Sequence, residues 1–209
     1  MVDALSNKLT LKIKMNVEGI DDEKAEIINY GLICFLSFIT KTTIILLVSY
    51  FLGIFDLTFI AIVSFGFYRA FAGGAHANSH IGCFISSFSI FLGSVYAGKF
   101  IFSLNSNTEM LYLIIFILNC IIIYYYAPAD VEQKPILSKN LREKLRMQSA
   151  FSMSLIIVLA LTIIKNPTIS NILVITTLIE SLTMLPFFYK LIGCKYGYRE
   201  NSVPDVKQL

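Results

Sequence analysis

Between Tyr68 and Cys83 the chain reads YRAFAGGAHANSHIGC, a stretch that holds both histidines of the protein, His76 and His80, with a glycine pair and a thiol. A free thiol, with a pKa of about 8.5, is a slow nucleophile at neutral pH, and apolar surroundings slow it further. A neighbouring imidazole can accept its proton or stabilise the thiolate, and a helix N-terminus helps in the same direction. If His76 opens a helix, Cys83 stands seven residues on, two turns along the same face. Gly73 and Gly74 allow positive φ and close approach by another chain segment. Arg69 suits a substrate carboxylate or a lipid phosphate. The backbone amides of the Gly74–Ala77 turn are candidate oxyanion donors. A second chemistry uses the same residues: His76, His80 and Cys83 lie at i, i+4 and i+7, so one helical face can offer three ligands to zinc.

The elements that must position these groups are membrane helices. Hydrophobic residues make up 56% of the 209, and charged residues only 15%, against about a quarter in soluble domains. The apolar residues arrive in long runs, and a bilayer core takes about 20 of them per helix. Six segments qualify: Ile27–Phe51, Ile54–Phe71, Ile81–Phe102, Met110–Ala127, Met147–Ile164 and Ile169–Tyr189. The expected fold is all-α and polytopic. It forms one membrane domain, with residues 1–25 as a short amphipathic interfacial segment, 26–191 as a six-helix bundle and 192–209 as a cytoplasmic tail. Leu5, Leu9 and Ile13 recur at helical spacing among Lys8, Lys12 and Lys14, which fits a short helix on the inner leaflet; a disordered tail is the alternative.

Basic residues in short loops mark the cytoplasmic side. With the N-terminus inside, 14 of the 17 Lys and Arg fall on that side, only Lys99 and Lys165 fall outside, and Lys41 lies within a span. Both termini then face the cytoplasm, as does the turn carrying His76. No apolar core with a small-residue cleavage site marks the start as a signal peptide. The four cysteines are scattered without a CxxC, and Cys34 and Cys120 sit within apolar runs. Basic residues on short loops against a bilayer argue against a nucleic-acid partner.

Two charges fall at membrane depth, where a lone charge is costly. Lys41 and Glu180 lie at about 21 and about 15 Å from the inner boundaries of their spans, and are expected to pair as structural glue. A small transporter centred on them is the competing function. Gly82, Ser86, Ser89 and Gly93 form a small-residue strip suited to close helix packing. Asp130, just past the fourth span, is expected to make a helix-terminating loop contact; the alternative is that it orients His76 as a third catalytic member.

RAFAGGAHA followed by Cys83, together with YYYAPADVEQKPI at Tyr124–Ile136, resembles the accessory gene regulator B (AgrB) family of bacterial membrane endopeptidases. The resemblance implies a cysteine protease with His76 as base and Cys83 as nucleophile, supported by Arg69 and Gly74, and needing no metal or cofactor. It implies an AgrD-like precursor peptide as partner, cut at the C-terminal side of a future signal. Cys83 would retain the peptide as a thioester until an internal cysteine or serine closes a (thio)lactone ring. Lys134 and its basic loop would attract the acidic precursor tail. A homodimer in the cell membrane is also implied.

Overall fold

The computed structural model describes residues 2–17, 19–77, 80–100, 108–131, 136 and 138–194. All its elements are helices: α1 (Val2–Asn16), α2 (Asp22–Phe51), α3 (Phe55–Ala72), α4 (His80–Phe100), α5 (Thr108–Tyr126), α6 (Lys139–Thr162), α7 (Pro167–Thr183) and α8 (Pro186–Ile192). Five of them are long and apolar enough to cross a membrane, or six spans if α7 and α8 count as one broken span. The protein is therefore all-α and multi-pass. The chain divides into two compact units, Met1–Leu52 and Gly53–Leu209.

In the first unit α1 lies along α2. Ser6 donates to the Asn29 side chain and backbone oxygens, Thr10 donates to Asn29 Oδ1 at 3.3 Å, and Lys14 pairs with Asp22. The N-terminal segment is thus a helix, as its periodicity allows. Asp21 caps α2 by accepting from the Lys24 amide at 2.8 Å, with Asp22 and Glu23 in the first turn complementing the dipole.

In the second unit α7 is the central helix, packed against α3, α4, α5 and α6. Its buried residues include Asn171, Thr176, Thr177, Glu180, Ser181 and Thr183. In lipid there is little hydrophobic drive between helices, so packing and polar contacts hold them, at about 0.6 kcal/mol per polar pair. Such contacts run the length of α7. Asn171 donates to Gly98 O at 3.2 Å and accepts from Tyr112, Asn119 donates to Thr177 at 3.1 Å, and Ser64 donates to Thr176 at 3.3 Å. Tyr68 shares a hydrogen bond with Ser181 at 2.8 Å. α4 approaches α7 closely at Gly98, where a Cβ would stand 2.5 Å from Ile172, whereas Gly93 has open space around it. Of the expected small-residue strip, Gly93 meets no neighbour among the described residues, and Gly98, further along α4, makes a close approach.

Two boundaries differ from the hydropathy reading. α6 begins at Lys139, capped by Ser138, eight residues before the apolar run from Met147; hydropathy marks where lipid begins, and the helix extends beyond it. The last span is not continuous: α7 ends at Thr183 and α8 leaves at 78° from Pro186. Proline lacks the N–H that would continue the ladder and pushes the preceding residue, Leu185, into extended geometry (ψ 143°).

Candidate active site

α3 ends at Ala72, Gly73–Ala77 lie outside any helix, and α4 begins at His80. Gly73 takes φ +75° and forms a parallel bridge with Ala129, in the connection after α5. Ala129 N donates to Ala72 O at 2.8 Å, and Gly74 N donates to Ala129 O at 2.9 Å. A Cβ on Gly73 would lie 2.1 Å from the Ala129 oxygen; on Gly74, at φ +127°, it would lie 2.5 Å from Thr183 Oγ1. Both positions need glycine, for the backbone angle and for the space. Ala75 N closes the arrangement by donating to Thr183 O at 3.0 Å.

Arg69 fastens this segment from the α3 side. Nη2 donates to Gly74 O at 3.2 Å and Ala75 O at 2.6 Å, while Nη1 donates to Glu180 Oε2 at 3.0 Å and Thr183 Oγ1 at 3.2 Å. The guanidinium also stacks over the Phe65 ring at 5.5 Å. Arg69 is thereby a strut whose two terminal nitrogens hold the turn and Glu180. Glu180 is fully buried, and Arg69 is the cation that meets it. Within the second unit, Glu180 thus has a cation beside it, as its depth in the span demands. Arg69 stands one turn from the end of α3 and Glu180 one turn from the end of α7, so the two meet at the same end of the paired helices.

His76 follows directly on this pinned backbone, exposed and outside any helix. Its Nδ1 lies 3.6 Å from Cys83 Sγ, in the first turns of α4. The expected contact is made by a different route: a residue outside any helix reaches the start of α4, rather than a residue that opens that helix. Cys83 is half-buried. The first turn of a helix leaves amides unsatisfied and carries partial positive charge, which favours an anionic sulfur nearby.

Asp130 is engaged by its own loop. Its Oδ2 accepts from Arg142 Nη2 at 2.8 Å and from the Ile136 amide at 3.2 Å, both groups being nearly buried, while Tyr189 donates to its backbone oxygen at 2.9 Å. Arg142 Nε also holds Ile136 O at 3.1 Å, and Arg146 Nε holds Ala127 O at 3.0 Å. The carboxylate thus organises its own loop, the contact expected of it as the alternative to a catalytic role. The oxyanion expectation is narrowed too. The Gly74 and Ala75 amides are taken by Ala129 and Thr183, and the His76 amide donates to Cys194 Sγ at 3.3 Å. Lys134 and the His80 side chain lie outside the described residues; among the described ones no three His, Cys, Asp or Glu side chains gather as a metal site.

Sequence reasoning missed Thr183, Arg142, Tyr189 and Cys194, which shape the backbone around His76. Only Glu180 carried a visible signal, since a carboxylate at membrane depth demands a partner.

The family model for accessory gene regulator B matches residues 6–184. A protein of Clostridium acetobutylicum described as AgrB-like is 31% identical over 208 residues, covering all of this chain and 95% of that protein. Accessory gene regulator protein B of Staphylococcus aureus RF122 is 32% identical over 142 residues, 68% of this chain and 72% of that protein. The same protein of strain MRSA252 is 28% identical over 151 residues, 72% of this chain and 77% of its own length. No solved structure matches.

Proposed function

Because the chain belongs to the accessory gene regulator B family, we propose that it is a membrane cysteine endopeptidase of agr quorum sensing, acting on an AgrD-like propeptide. The observation that carries this reading is the 3.6 Å approach of Cys83 Sγ to His76 Nδ1 on a backbone pinned by Arg69. His76 takes the thiol proton as Cys83 attacks the scissile carbonyl, then returns it to the leaving amine as the C-terminal tail departs. The peptide remains as a thioester on Cys83. An internal cysteine or serine of the peptide then attacks that carbonyl, closes a (thio)lactone and returns Cys83 to the thiol. Exchange of one thioester for another is close to thermoneutral, so cleavage is the demanding step. The tethered nucleophile wins over water because its effective concentration is high and the lipid-edged site is poorly hydrated.

The bias of Lys and Arg supports cytoplasmic termini and a cytoplasmic active site. The exposed Lys139 and Lys144 at the start of α6, with Lys134, suit an acidic precursor tail. The test is to incubate the purified protein with synthetic AgrD-type precursors and follow products by mass spectrometry. Wild type should release the tail and a ring; Cys83→Ala and His76→Ala, monodisperse and folded, should release neither. Cleavage by Cys83→Ala at the wild-type rate would sink the reading.

A further inference from the structure

His76 carries the base but lies outside any helix. It is exposed, it follows two glycines at positive φ, and α4 starts only at His80. What grips its backbone is Cys194, 118 residues away. The Cys194 thiol accepts from the His76 amide and donates to the His76 carbonyl oxygen, so one side chain engages both main-chain groups of the residue.

The placing of Cys194 is itself built. α8 ends in a Schellman turn: Gly193 is left-handed at φ +75°, its amide donates to Lys190 O at 3.4 Å, and the Cys194 amide donates to Tyr189 O at 2.8 Å. That turn folds the chain back after the helix. Tyr189, whose carbonyl anchors the turn, is buried and bonded through its hydroxyl to Asp130 O. The sulfur is thus fixed to the same connection that pairs with Gly73 and Gly74. Two thiols bracket His76, Cys83 at its ring and Cys194 at its backbone.

We infer that Cys194 is a positioning residue: by engaging the amide and carbonyl of His76 it holds the imidazole within reach of the Cys83 sulfur. The inference rests on the thiol–imidazole reading of Cys83 and His76. A serine keeps one donor and one acceptor at this place; alanine keeps neither; valine keeps the volume without the polarity.

The experiment alkylates the purified full chain with iodoacetamide, maps the rate at Cys83 by peptide mass spectrometry, and repeats this from about pH 6 to about pH 9.5, across the free-thiol pKa of about 8.5. His76→Ala sets the reference for a Cys83 without its base. Cys194→Ala should slow Cys83 about 3- to 10-fold near neutral pH, toward the His76→Ala rate, with all profiles converging above the free-thiol pKa, where no base is needed. Cys194→Ser should recover most of that loss. A merely structural role predicts the opposite, equal or faster alkylation of a loosened site at every pH. Cys194→Val repeats the measurement if the alanine variant does not stay folded. A Cys194→Ala profile matching wild type, with His76→Ala slowed, overturns the positioning role and leaves the catalytic pair standing. An unslowed His76→Ala overturns the pair, and the positioning role with it.

Discussion

Two connections meet where Gly73 bridges Ala129, and they use their charges in opposite ways. The one after α5 turns its polar groups inward: the Asp130 carboxylate is spent on Arg142 and the Ile136 amide, and the carbonyls of Ala127 and Ile136 are taken by Arg146 and Arg142. The one after α3 has its backbone fastened from behind by Arg69 and Thr183, while its ionisable side chain, His76, is left facing outward toward Cys83. One loop is a brace and the other a presenting arm. A carboxylate next to a motif need not belong to the chemistry; what its oxygens touch decides.

The comparison breaks most severely at Gly73. Gly73→Ala sets a Cβ 2.1 Å from a backbone oxygen at a left-handed φ, where neither side can yield cheaply, so a loss of about 3 kcal/mol or more is expected. Thermal unfolding of the detergent-solubilised protein reads it, and a variant as stable as wild type would mean the two loops are not joined there.

Arg69→Ala leaves the fully buried Glu180 without its cation and should cost about 3 kcal/mol. Arg69→Lys should recover only part, because an ammonium cannot reach two carbonyls and a carboxylate with a planar fork. Equal stability and equal peptide cleavage in the lysine variant would show that charge alone suffices.

Asp130→Asn should destabilise by about 1–3 kcal/mol through the weakened Arg142 contact. Alkylation of Cys83 near neutral pH should stay at the wild-type rate. Slowing to the level of His76→Ala would place Asp130 back in the catalytic group and erase the contrast between the loops. The smallest effect belongs to Tyr189→Phe. It removes one hydrogen bond to Asp130 O and should cost about 1 kcal/mol in unfolding midpoint measurements.

The spans were legible because lipid demands long apolar runs, and α2, α3, α4 and α5 follow them closely. The start of α6 was not, since Lys139–Arg146 is helix without being apolar. The break before Pro186 was written in a single residue but masked by the apolar sequence on both sides. At the site, the spacing of His76 and Cys83 pointed to a contact, and the glycine pair to a close approach. The partners of Arg69, Asp130 and the His76 backbone were not legible. They come from Glu180, Arg142 and Cys194, whose distances along the chain carry no periodic signal. Depth in the membrane said that Glu180 needs a cation, and Arg69 supplies one from a helix that packs beside α7.

The central claim is that the pinned loop presents His76 to a nucleophilic Cys83. Its most direct test is the intact mass of the purified protein, acid-quenched during turnover of a precursor peptide. The account predicts a peptidyl adduct on Cys83 that hydroxylamine removes and that is lost in Cys83→Ala and His76→Ala. Turnover without an adduct, or an adduct on another residue, would contradict it.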